Sequence, residues 1–71
     1  DVLSEREVAF YLCAQDAGVL RRDLPARWIE NLMLGLMVAA REALRHGDVA
    51  PRDGADLAVT TFLAGTGASA R

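Results

Sequence analysis

Lysine is missing from this 71-residue chain; cysteine and histidine occur once each, proline twice, and aromatic residues make up only 6% of it. Each scarcity excludes something. The single cysteine, Cys13, allows no internal disulfide framework and suits a reducing, cytoplasmic setting. One histidine and one cysteine fall short of the ligand set a zinc site requires, and no cofactor motif is present. The longest apolar run, Leu32 to Ala40 with Gly35 counted, is nine residues, against about 20 for a membrane span. The first residues, Asp1-Val2-Leu3-Ser4-Glu5-Arg6-Glu7, show neither the basic nor the apolar stretch of a signal peptide. Eight arginines against ten acids leave a net charge of −2, which gives no basic stripe for nucleic acid. An all-arginine basic set beside thirteen alanines reads as the imprint of a GC-rich genome and not as chemistry.

What the chain does have is apolar content. At 52% hydrophobic residues and low net charge it falls outside the composition of disordered segments. Its length allows one domain or one piece of a domain. A compact monomer this small hides only about 60% of its unfolded surface, and alanine-rich helices bury little area per residue. A partner chain, or further parts of the same domain, is therefore expected.

Periodicity predicts three helices and no strand, near residues 5–17, 25–46 and 52–64. Ser4-Glu5-Arg6-Glu7 has the form of a capping box, with Ser4 as the cap of the first helix. Gly18 is its expected stop. Leu24-Pro25 opens the second and longest helix, since proline suits a first turn, and Gly47 ends it. Its first turns are amphipathic, with Trp28, Ile29, Leu32 and Met33 expected inside. Its middle is not, because Leu34 and Val38 occupy positions that should be polar. A helix that is apolar all round is buried on all sides. The third helix follows Pro51 and carries an apolar stripe of Ala55, Ala58, Val59, Phe62 and Leu63. The small residues from Ala64 to Ala70 are expected to fray or to remain partly helical.

The chemical inventory is thin. Cys13 and His46 could be imagined as a nucleophile and its base, but a histidine beside Gly47 reads better as a capping or solvent-facing side chain. Asp53 and Asp56 could be paired carboxylates, but in a first helical turn they simply complement the helix dipole. Gly65-Thr66-Gly67 lacks the strand and helix that frame a phosphate loop, and Arg21-Arg22 reads as a solvated loop. No catalytic constellation is present, so no enzyme activity is expected. Phe10, Tyr11, Cys13, Trp28, Met33, Met37 and Phe62 are large or soft side chains that suit either an ordinary bundle core or a mainly apolar ligand pocket.

The run Leu24-Pro25-x-x-Trp28, the apolar helix ending Ala43-Leu44-x-x-Gly47-Asp48-Val49, Pro51-x-Asp53, and Ala58-x-x-x-Phe62-Leu63-Ala64-Gly65 together resemble the C-terminal region of TetR-family transcriptional regulators. The resemblance covers most of residues 4–68. It implies an all-α, three-helix fragment of a helical bundle, completed by a dimer partner, and spanning residues 1–71 as one effector-binding and dimerisation region. Operator DNA would be read by a helix-turn-helix domain that this chain does not contain. A small apolar effector would lie among Phe10, Tyr11, Cys13, Trp28, Leu32, Met33, Leu36 and Met37, with Trp28 largely buried. Ala55, Val59, Phe62, Leu63 and Gly65, with Ala68, would form the homodimer contact. The competing expectation is a small self-associating helical module that takes no effector.

Overall fold

Asp1 opens the first helix. Its side chain accepts a hydrogen bond from the Ser4 amide at 2.8 Å, and helix α1 runs over Val2–Asp16 in the computed structural model, which describes residues 1–68. The expected capping box is thus corrected by one turn. With Asp1 available as the cap, Ser4 becomes helical and its hydroxyl is free to donate to Glu30 on the next helix.

Helix α2 spans Ala26–Arg45, with Pro25 in extended conformation as its cap residue. Both helices end in the same way. After α1, Gly18 takes φ 79° and Val19 N–H donates to the Ala14 carbonyl; after α2, Gly47 takes φ 76° and Asp48 N–H donates to the Ala43 carbonyl. These are Schellman terminations, in which the left-handed residue must lack a side chain to avoid strain. A single turn of 3₁₀ helix, Pro51–Asp53, leads into helix α3, Gly54–Thr66. The fold is all-α, with no strand among the described residues beyond one isolated antiparallel bridge between Leu20 and Gly67.

The tail is partly helical, since α3 runs through Thr66, and the bridge holds it in place as far as Ala68 instead of letting it fray; residues 69–71 lie outside the described part. Arg21 N–H donates to the Thr66 carbonyl at 2.8 Å and Ala68 N–H to the Val19 carbonyl at 3.0 Å. The end of α3 is therefore stapled to the segment between α1 and α2. At its other end, Gly54 meets the Leu44 side chain near the end of α2. Helices α2 and α3 thus form an antiparallel pair, and α1 packs against the first turns of α2.

The core lies where all three helices meet. Ile29 and Thr66 are fully buried, with Tyr11, Leu20, Ala26 and Phe62 nearly so. The Tyr11 and Phe62 rings are 6.1 Å apart between centroids and join α1 to α3. Half-buried Val8, Ala14, Leu24, Leu32, Met33 and Leu36 pack around this nucleus. It is small, and the molecule is a plate of 38 × 35 × 16 Å.

Candidate interaction surface

Three polar arrangements fix the plate. Between α1 and α2, the Ser4 hydroxyl donates to the Glu30 carboxylate, and Arg27 approaches the same carboxylate at 3.9 Å. About two turns further along α1, the Tyr11 hydroxyl donates to Glu7 at 2.8 Å. Burial, the hydrogen bond to Glu7, and the nearby negative charges of Glu7 and Glu30 all push the phenol well above its ordinary range.

The second arrangement is built around Gln15, which a sequence reading would leave on a helix surface. It is buried, and its amide donates to the carbonyls of Arg21 and Leu24, each at 2.7 Å. Arg22 returns from the connecting segment to the end of α1, donating to the carbonyls of Gln15 and Asp16 at 3.0 Å. The two arginines expected to be merely solvated are therefore structural. Arg21 grips Asp23 with two hydrogen bonds of 2.9 and 2.6 Å and donates to the Gly65 carbonyl at 3.3 Å. Its guanidinium holds the Asp23 carboxyl below the usual carboxylate range, chiefly through hydrogen bonding.

Thr66 makes the third, donating its hydroxyl to the Phe62 carbonyl at 2.7 Å from a fully buried position. Every fully buried side-chain polar atom among the described residues has a partner. None is left over to receive a ligand.

The residues expected to line an effector pocket do not converge. Trp28 is 55% exposed and Phe10 66%, and Cys13 is also exposed. This corrects the expected burial of Trp28. Neighbouring positions on a helix differ by about 100° around its axis, and it is Ile29, fully buried, that takes the inward direction. Tyr11 is buried in the common core, with Leu32 and Met33 half-buried against it. Leu36 and Met37 border two different grooves.

Both grooves flank the seam between α2 and α3 in its far half, beyond the reach of α1. One, of about 150 Å³, is lined by Leu36, Ala39, Ala43, Val49, Leu57 and Thr61. The other, wider and shallower at about 390 Å³, is bordered by Met37, Arg41, Leu44 and Ala55. Ala40, Gly54 and Ala58 belong to both and let the two helices approach closely. Enclosed sites for drug-sized molecules run from about 300 to 1,000 Å³. The first groove is too small for that class, and the second has an open side.

The stripe expected on α3 also turns. Gly54, Phe62 and Thr66 are its buried positions and Ala58 is half-buried, a spacing of four that drifts slowly round the helix. Phe62 packs on Tyr11 inside the chain and is not available to a partner, which corrects its expected place in a dimer contact. Ala55, Val59, Leu63 and Gly65 remain exposed. Leu20, a core residue on the connecting segment, had no periodic signal to reveal it. The described residues contain no cluster of three or more histidine, cysteine or acidic side chains that could hold a metal. No helix among them is long and apolar enough to cross a membrane.

Comparison with protein families, curated proteins and solved structures finds no match to this chain.

Proposed function

We propose that the chain is the effector-binding and dimerisation region of a cytoplasmic TetR-like transcriptional regulator. One observation carries the reading: the α2–α3 pair is covered by α1 over one half only. In the other half Leu34, Met37 and Val38 are each more than half exposed. A helix pair apolar on both faces is half of a bundle, and a second pair is the simplest completion. In this role the assembly joins two DNA-reading heads carried outside this segment. A small apolar effector then acts by binding one arrangement of the helices better than the other, and only that difference in affinity moves the heads. The remaining pocket walls come from outside this segment, because its own grooves are small or open.

The self-associating module without effector is favoured by a separate observation, the failure of Trp28, Phe10 and Cys13 to face a common cavity. The reading frame upstream of Asp1 separates the two. A helix-turn-helix segment there supports the regulator; a start codon directly before Asp1 supports the module.

A further inference from the structure

We infer that the wider groove beside the α2–α3 seam is a site for a small monocarboxylate with an apolar body, and that Arg41 holds its carboxylate. This rests on the effector reading above and names the class of effector.

The groove is bordered by Met37, Ala40, Leu44, Ala55 and Ala58, and by Arg41, whose guanidinium is the only polar side-chain group in that lining. Met37, Arg41 and Leu44 stand four and three residues apart, so they share one face of α2. At about 390 Å³ the groove falls within the size range of small-molecule sites. In such sites apolar walls carry most of the contact, and a few polar groups fix the orientation. A wholly neutral hydrocarbon would leave the guanidinium unused.

Charge narrows the class. Arg27 approaches Glu30, Arg45 pairs with Glu42, and Arg52 approaches Asp53. Arg41 has no acidic partner among the described residues, and no acidic side chain lines the groove to compete for it. The planar fork of one guanidinium matches the two oxygens of one carboxylate, and its single positive charge balances a single negative one. A ligand of higher charge would find no second cation in the lining. With its carboxylate on Arg41, the body of the ligand lies on Met37, Ala55 and Ala58 and takes their apolar surface out of water.

The experiment titrates the whole chain with octanoate and, separately, with octanol, following the methyl resonances of Met37, Ala55 and Ala58 by NMR. Octanoate is expected to shift these methyls to saturation, and octanol to bind there more weakly. Arg41→Gln changes an exposed side chain, so the fold survives. It weakens octanoate binding about tenfold or more, the scale of a lost charge-assisted hydrogen bond, and leaves octanol binding unchanged. Arg6→Gln, at an exposed position on α1, alters neither. Octanoate and octanol binding alike, or octanoate binding indifferent to Arg41→Gln, overturns this inference and leaves the effector reading standing. Shifts of these methyls that follow protein concentration without either probe assign the groove to a second copy, and overturn it as well. If neither probe moves any methyl of the protein, the effector reading falls with it.

Discussion

Tyr11 is the only tyrosine in the chain, so its ionisation can be followed without interference. Its hydroxyl donates to a carboxylate from within the core, and ionisation would place a phenolate beside Glu7 and Glu30. Absorbance titration is expected to show no tyrosinate near the ordinary value of about 10 while the protein stays folded. The linkage follows in sign. A folded-state value raised above the unfolded one stabilises the fold fully below about pH 10 and is lost as pH rises through the folded value. Alkaline unfolding, followed by circular dichroism, should therefore begin above about pH 10 and coincide with the appearance of tyrosinate; tyrosinate forming near 10 in folded protein would contradict the burial. Phe62, against the same ring, tests the core from α3. Phe62→Arg removes a buried ring and places a charge in its position, at a cost of about 3 kcal/mol or more. For so small a core the expected outcome is loss of the cooperative urea transition, not dissociation into folded monomers.

At the scale of elements, the glycines differ in what they permit. Gly67 has an extended φ of −67°, yet a Cβ built on it would lie 2.6 Å from the Leu63 carbonyl oxygen. That oxygen accepts the Gly67 amide at 2.8 Å, so the close approach closes α3 and presents its end to Leu20. Gly67→Ala is expected to open the staple, lowering the melting temperature and speeding amide exchange at Arg21 and Ala68. Unchanged exchange at both amides would show that the staple tolerates a side chain. Gly35 is the opposite case: it lies inside α2, and a Cβ there would meet no atom within 4 Å. Gly35→Ala should stabilise the monomer by about 1 kcal/mol through helix propensity alone, measured by urea unfolding at high dilution. If the same variant is destabilising in that regime, α2 is not regular there. The long helix was legible in the sequence because Pro25, the periodic apolar positions and Gly47 agree; its orientation was less so. Trp28 and Ile29 are both apolar and adjacent, and only the place where α1 and α3 dock decides that Ile29 turns inward.

For the whole molecule, a plate 16 Å thick with a 5296 Å² surface has its apolar residues distributed on the wrong side for an isolated globule. Leu34, Met37, Val38, Val59 and Leu63 are each about half exposed or more, the kind of apolar surface that the proposed association would cover. The chain's stability should therefore depend on concentration, since association adds to the folded state by mass action. Scanning calorimetry over a hundredfold range of protein concentration, on the order of what shifts a linked equilibrium measurably, is expected to raise the melting temperature with concentration. A constant value would mean that the chain folds alone with its apolar surface wet.

Local chemistry in the sequence was enough to determine the three helices, the two glycine stops and the proline start. Each of these depends on residues within one turn of one another, and short-range sterics and hydrogen bonding act at that distance. Tertiary structure alone decided that Leu20 is core, that Gln15 and Thr66 are buried with their hydrogen bonds made, and that Arg22 completes the end of α1. It also placed Phe62 inside, Trp28 outside and both grooves along the far half of the α2–α3 seam. Those outcomes depend on which elements meet. An apolar residue beside another on a helix carries no mark of which one a distant segment will cover, and a polar side chain is buried only where a passing backbone offers partners.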